Sequence, residues 1–537
     1  MERAELSSPL TERLNPREAE CYDPAFAMTP TNPNIARELR DRPLFILPDG
    51  SNRDAVARLG QRFLDLTIEA LATASGRPPL PAPADPDRPL RSDYEPPREG
   101  RDAAELIDAI RDEILGRVLN VSHPGYVGHM DTLPSAIGAF SDLLVSALNN
   151  NMLCWEMSPV FTEMEARLLR WITRTIGWPT GDGKPSPTGF LVSGGSLANL
   201  SAILAARNVQ CGPAIREIGL SAAPGHPTII ASEEAHYSLD KIANILGLGA
   251  QGLVHVPTDD QLRLRPDALE EAIARIRRHG GWPFCVVGIA GTTVSGAIDP
   301  LDDMGEIARR HGLWFHVDAA YGGSLLVCTN ETRDRLRGIE QADSVTFNPQ
   351  KWLFVPKVCA GIFFRDSARV SEAVQQTFPY AGSANGGIDD PRRNVGEYTV
   401  QGTRRVDVLK LWLTLEHLGL DLLSALMNES LRRARLLAAE IKRSPSCQLL
   451  CEPQLNIVCF RYVPQGWDPE ARGPALDTLN QRIHAMLAAD DLGWIAIPRH
   501  RGRRWLRFVI LHPMADDARL RRILEKVIKT GDALTVE

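Results

Sequence analysis

Apolar residues recur along the chain with two periods, and the change of period divides it. From Arg53 to Thr73 they stand at helical spacing (Val56, Leu59, Phe63, Leu66, Ile68 and Leu71), which predicts one amphipathic helix. A second helical segment is expected over 102–119. Between them, residues 77–97 (RPPLPAPADPDRPLRSDYEPP) are dense in proline, which fixes φ and removes backbone donors, so this stretch reads as a linker or a surface arm. From about 121 to 405 short apolar runs alternate with helical stretches. Strands are expected at Phe190–Ser193, 227–232, Phe284–Ala290, Leu313–Asp318, Ser344–Phe347 and Cys359–Phe364. Helices are expected over LANLSAILAARN, near 236–246 and over Asp303–His311. Such alternation predicts a mostly parallel sheet covered on both faces. From about 406 a long helical run (VLKLWLTLEHLGLDLLSALMNESLRRARLLAAEI) leads to strands near 455–463 and 505–511 and a closing helix, the pattern of a small α+β domain. The expected division is an N-terminal helical segment (1–120), a large domain (121–405) and a small one (406–537).

Length agrees with that division, since 537 residues exceed the ~100–200 of an ordinary domain. Hydrophobic residues make up 44% and charged residues 24%, as in soluble globular proteins. A net charge of −7 and a pI near 6.0 argue against a basic footprint for nucleic acid or an anionic membrane. The nine cysteines form no CxxC pair, and Cys447 and Cys451 have no second pair at zinc spacing, so reduced thiols and no metal site are expected. The opening MERAELSSPLTERLNPREAE lacks the apolar stretch of a signal peptide, and no run reaches the ~18 apolar residues of a membrane span, so a soluble, cytoplasmic protein is expected.

Five segments carry candidate chemistry, all beside expected strand ends, where ligands bind in open α/β sheets. In SVTFNPQKW (344–352), Lys351 follows an apolar stretch. Alone it would read as a lysine that reaches the surface, but a desolvated lysine is also how enzymes obtain an amine for Schiff-base chemistry. In HVDAAYGGS (316–324), Asp318 ends a strand. It either caps the next helix or supplies the carboxylate that keeps a pyridine nitrogen protonated in a pyridoxal-phosphate (PLP) enzyme. SGGSLAN (193–199) places two glycines and a serine where a helix begins, either a tight turn or a phosphate cradle. His236 in EEAHYS (233–238) is either structural or a ring that stacks on a flat cofactor. GTTVSGAIDP (291–300) is either a turn or a contact to the cofactor's oxygen.

The order SGGS, EEAHYS, GTT, DAAYGG, NPQKW resembles the group II PLP-dependent amino acid decarboxylases over roughly residues 120–410. The resemblance implies the aspartate-aminotransferase type of α/β fold (fold type I), PLP as cofactor, and a homodimer with sites at its interface. It implies that Lys351 holds PLP as a Schiff base, Asp318 pairs with the pyridinium, and His236 and Ala320 pack on the two faces of the ring. Gly195, Ser196, Asn348 and Gln350 would contact the phosphate, with Gln350 where many members have histidine, and Thr293 would touch the ring's edge. The strip HPGYVGHMDT (123–132) looks like the family's substrate pocket, which brings His129, Met130, Asp131 and Thr132 toward the substrate. Gly125, Gly128 and Met130 depart from the aromatic branch, while NNNMLCWEMSPVFTEME (149–165) looks closer to the glutamate and cysteine-sulfinate branch.

A family member also needs a loop tyrosine to return a proton to Cα. Tyr380 and Tyr398 lie within the Gly- and Asp-rich stretch 376–403 and are the two candidates, with loop packing the alternative for either. Arg507 in a late strand would suit a substrate carboxylate, although a decarboxylase gains when its departing carboxylate is poorly stabilised. The expected reaction is conversion of an L-amino acid to an amine and CO2. An oxidative decarboxylase–deaminase, or a non-catalytic PLP-fold protein, are the alternatives.

Overall fold

The computed structural model describes residues 37–38, 42–81, 95–179, 186–328, 330–379, 382, 387–488 and 492–536. They fall into two units, one drawn from the chain up to Gly76 and Pro81–Leu119, the other from Arg77–Leu80 and Asn120 onward. In the first unit a helix spans Arg53–Ala72. A second, Ala103–Ala109, is capped by Asp102, whose side chain accepts from the N–H groups of Ala104 and Glu105. The single helix expected over 102–119 is not continuous: a π turn (Ile110–Ile114) and a 3-10 turn (Leu115–Arg117) follow, the second containing Gly116, a poor helix former.

The second unit is built on a seven-stranded sheet of order β1-β7-β6-β5-β4-β2-β3. The strands are β1 Thr188–Val192, β2 His226–Ser232, β3 Leu253–Val256, β4 Gly281–Ile289, β5 Trp314–Ala319, β6 Ser344–Phe347 and β7 Ala360–Phe364. β2 to β6 are mutually parallel, and β7 runs against both β6 and β1. β1 therefore points the same way as β6, and the carboxyl ends of six strands share one edge. Side chains alternate between two cores with the strand period of two. Leu191, Ile230, Val286, Phe315 and Val317 join one core with helices Pro159–Ile176, Pro266–Arg278 and Leu301–His311. Phe190, Ile229, Ala231, Cys285, Val287 and Trp314 join the other with helices Gly195–Cys211 and Ser238–Ile245. Both faces are thus covered, which is why these strands read as unbroken apolar runs.

β3 and helix Pro266–Arg278 were not among the expected elements. The helix starts with proline in its first turn and buries Leu269, Ile273 and Ile276, a signal legible at i, i+4, i+7. The expected long helical run is Asp407–Arg443, bent at Gly419 (φ 71°, ψ 158°). A three-stranded sheet, order β12-β9-β8 (Leu506–Val509, Ile457–Tyr462, Cys447–Leu449), packs through Val458, Phe460 and Phe508 on Leu437 and Ile441 of that helix and on Ile523 and Val527 of the closing helix. A hairpin of β10 (Arg499–His500) and β11 (Arg503–Arg504) leads into β12; Arg501 and Gly502 at its turn both have positive φ, the type I′ pattern. Among the described residues no helix is long and apolar enough to cross a membrane.

Candidate active site

A cavity of about 200 Å³ opens at the shared carboxyl edge. Gly195 and Ser196 follow β1, Glu234 and His236 follow β2, Gly291 and Thr293 follow β4, Asp318 and Ala320 end β5, and Asn348, Gln350 and Lys351 follow β6. Chain order thus becomes a ring of side chains because parallel strands deliver their ends to one edge.

Lys351 sits in the short helix Pro349–Trp352 directly after β6. Its Nζ lies 4.0 Å from Met130 Sδ and 6.0 Å from the centre of the Tyr321 ring. Among the described residues it has no ion pair. Burial lowers its pKa from the ordinary lysine value; Asp318 and Asp131 oppose that shift and Lys357 adds to it. An amine held this way spends more of its time neutral and nucleophilic.

Asp318 is fixed by two donors: Asn199 Nδ2 at 2.7 Å to Oδ2 and the Ala320 N–H at 3.1 Å to Oδ1. His236 Nδ1 accepts from the Ser238 backbone N–H at 3.2 Å, so the ring proton sits on Nε2. Burial lowers the His236 pKa, with Asp318 pulling it up and Lys351 pushing it further down. Glu234 turns a carboxylate toward the cavity wall and meets His500 Nε2 at 2.6 Å, both side chains nearly buried. The neighbouring Glu233 pairs with Arg501 at 2.7 Å, so the hairpin turn is pinned to the loop that carries His236.

The strip 129–132 comes in from the side. Met130 reaches Lys351, and Asp131 pairs with Lys357. His129 Nδ1 lies 3.2 Å from Arg507 Nη2, and the Thr132 hydroxyl is buried without a partner among the described residues. Arg507 also donates to the carbonyls of Thr293 (2.6 Å) and Gly128 (3.0 Å). Gly125 and Gly128, read from the sequence as pocket departures, have a backbone reason instead. A Cβ on Gly128 would lie 2.2 Å from the Trp494 ring, and one on Gly125 2.4 Å from the Leu492 carbonyl.

Tyr398 is not at the cavity. It is buried in the second core, stacks on Phe190 at 6.2 Å, and its hydroxyl accepts from Gln375 Nε2. The structure corrects the reading of Tyr398 as a mobile proton donor, because its ring is part of the sheet's packing. Tyr380 lies outside the described residues. The sequence reading did not single out Asn199, Glu234, Ser238 and Tyr321, which also line the cavity. Asn199 stands three residues after Ser196 and Tyr321 directly after Ala320, so both were within the recognised motifs.

Residues 86–463 match the model of the pyridoxal-dependent decarboxylase conserved domain. This chain belongs to the pyridoxal-dependent decarboxylase family. It is 32% identical to the human acidic amino acid decarboxylase GADL1 over 83% of each chain. It is 30% identical to the L-2,4-diaminobutyrate decarboxylase of Acinetobacter baumannii over 82% of this chain and 86% of that one. The crystal structure of mouse CSAD superposes with a TM-score of 0.80 at 28% identity, covering 89% of this chain and 98% of that one. The family's fold type I architecture is the one described above, its cofactor is pyridoxal 5′-phosphate, and its reaction is decarboxylation of an amino acid.

The residues present fit that cofactor. Asn348 Oδ1 is buried with no partner among the described residues. A Cβ on Gly195 would lie 2.8 Å from Asn348 Nδ2, so a larger residue there would have to displace that amide. The start of helix Gly195–Cys211 leaves backbone N–H groups free for an anion. Gln350 Oε1 accepts from the Cys359 N–H, which fixes the amide and leaves its nitrogen as a donor to the cavity.

Proposed function

We propose that the chain decarboxylates an L-amino acid with an anionic side chain, working as a homodimer, with Lys351 supplying the amine that ties the cofactor to the protein. The observation that carries the acidic reading is Arg507. The residue is 5% exposed, and among the described residues it has no ion pair to a carboxylate and its Nε has no acceptor. A buried cation without a counter-charge is costly, and an anionic substrate group at the cavity's edge would offset that cost. The departing carboxylate gains from a poorly stabilised setting, so Arg507 is assigned to the side-chain anion, with His129, Met130, Asp131 and Thr132 around it. Similarity to an acidic amino acid decarboxylase supports this reading.

Bound pyridoxal phosphate supplies the electron sink for the electrons left at Cα when CO2 departs. Asp318 keeps the proton on the pyridine nitrogen. His236 and Ala320 hold the ring from its two sides, and Thr293 borders its edge. Gly195, Ser196, Asn348 and Gln350 orient the phosphate. Of the two tyrosines considered for returning a proton to Cα, Tyr380 remains the candidate.

The dimer reading rests on helix Ala136–Leu148. Phe140, Leu143, Leu144 and Leu148 on it are exposed, Leu143 by 72%, an apolar stripe suited to a second copy. A division of the second unit near residue 405 goes with the separate core around β8, β9 and β12. Eight described cysteines are free thiols, in keeping with a cytoplasmic setting.

The test is CO2 release from the PLP-loaded chain over L-glutamate, L-aspartate, L-cysteine sulfinate, L-2,4-diaminobutyrate and aromatic acids, with oxygen uptake recorded in the same vessel. CO2 from acidic substrates without oxygen loss is expected. CO2 from diaminobutyrate alone would overturn the acidic reading. Matching oxygen loss would mean oxidative decarboxylation–deamination, and no CO2 from any acid would return the non-catalytic alternative.

A further inference from the structure

Asp318 is backed by four buried groups in a row. Trp314, His316 and Asp318 alternate along β5 and so face the same side of the sheet, toward helix Gly195–Cys211, which carries Asn199. Trp314 Nε1 donates to Ser344 Oγ at 2.8 Å, and Ser344 Oγ lies 2.9 Å from His316 Nδ1. His316 Nε2 lies 3.2 Å from Asn199 Oδ1, and Asn199 Nδ2 donates to Asp318 at 2.7 Å.

The two ends of this row permit one direction only. An indole N–H donates and cannot accept; an ionised carboxylate accepts and cannot donate. Asn199 must turn its nitrogen to Asp318, which leaves its oxygen facing His316. The imidazole must then carry its proton on Nε2, and its bare Nδ1 accepts from the Ser344 hydroxyl, whose oxygen accepts from Trp314. The opposite tautomer has an acceptor waiting, the Ser344 carbonyl 3.2 Å from Nδ1. Adopting it would bare Nε2 and turn the Asn199 oxygen toward Asp318, an arrangement suited only to a protonated acid. Burial, opposed by Asp318, pushes the His316 pKa down to about 4, so the ring is neutral near pH 7 and the choice lies between tautomers.

We propose that Trp314, Ser344, His316 and Asn199 form a one-way hydrogen-bond chain that orients the Asp318 carboxylate toward the cavity, with His316 as the positioning residue at its centre. The proposal rests on the reading of Asp318 as the partner of the cofactor's pyridine nitrogen. His316 stands behind the cavity; it sets the Asn199 amide, and the amide holds the carboxylate.

The test is the ring 15N spectrum of the full-length, PLP-loaded chain grown with labelled histidine, with His316→Gln used to assign the signal. The neutral Nε2–H tautomer is expected. Ser344→Ala should move His316 toward the Nδ1–H form and lower kcat. His316→Leu should lower kcat about 10- to 100-fold, as lost supporting partners do at other sites, with KM within about twofold. His316→Gln, which offers one donor and one acceptor in the row, should restore most of that loss. A protonated or Nδ1–H His316 in the parent overturns the proposal, as does parental kcat in His316→Leu. Should His316→Leu fail to fold, Ser344→Ala decides, since unchanged ring shifts with unchanged kcat overturn it. The tautomer needs no substrate: an Nε2–H ring that responds to Ser344→Ala in a chain inactive on acidic amino acids sinks only the substrate reading. An Nδ1–H ring in an active chain sinks only the hydrogen-bond chain.

Discussion

Among the described residues, Lys410 and the half-buried Lys351 both lose water, and they are treated in opposite ways. Lys410, on helix Asp407–Arg443, is fully buried, with Nζ 2.8 Å from Asp407 and 3.6 Å from Asp142. Among the described residues Lys351 has no ion pair; its Nζ meets the Met130 thioether at 4.0 Å, and Asp318 and Asp131 act on it without pairing. A paired amine is a structural strut, whereas an unpaired one is poised to react. The difference is why the same residue type, in the same unit, can be a support at one place and the proposed covalent anchor at another.

The largest expected effect is at the unpaired lysine. Lys351→Ala should reduce turnover by about 10^4-fold or more, the scale seen when a covalent group is removed, and should abolish covalent retention of the cofactor after borohydride reduction. Comparable loss from Lys410→Met in folded protein would break the comparison. Lys410→Met should instead leave Asp142 and Asp407 with Arg405 as their shared cation, costing about 1–3 kcal/mol of unfolding free energy in a urea titration, with turnover of the folded protein little changed.

A smaller effect sharpens the contrast through pH. The Lys351 pKa is lowered in the folded apoprotein, so over the window between that lowered value and the ordinary lysine value the unfolded chain holds a proton that the folded one lacks. Stability should therefore rise with pH across that window, by at most about 1.4 kcal/mol per unit. Lys351→Met should flatten that rise, and superimposable pH–stability curves for parent and variant would contradict the depressed amine. Smallest of all, Tyr398→Phe should cost about 1 kcal/mol through its bond from Gln375 and leave kcat unchanged; a large fall in kcat would return it to the mechanism.

Much of this was legible in the sequence because the sheet is parallel. Each apolar run ended in its own chemistry, and the ring of Gly195, His236, Thr293, Asp318 and Lys351 follows from strands delivering their ends to one edge. What was not legible depends on distance across the fold. FNPQKWLF and VDVLKLWL both set a lysine among apolar neighbours, and nothing local says which one meets an acid. Tyr398 looked like a loop residue until its stack on Phe190 placed it in the core. His500 reaches Glu234 across 266 residues, a pairing no spacing rule could find. Gly125 and Gly128 were read as substrate-pocket choices, when the close passage of Trp494 and Leu492 requires them.

The central claim is that Lys351, and no other lysine, ties the cofactor to the chain. The most direct measurement is borohydride reduction of the PLP-loaded protein, proteolysis, and mass spectrometry of the peptides. The account expects the reduced pyridoxyl group on the peptide containing Lys351 alone. A group on Lys357 or Lys410, or no modified peptide from a protein that still decarboxylates, would contradict it.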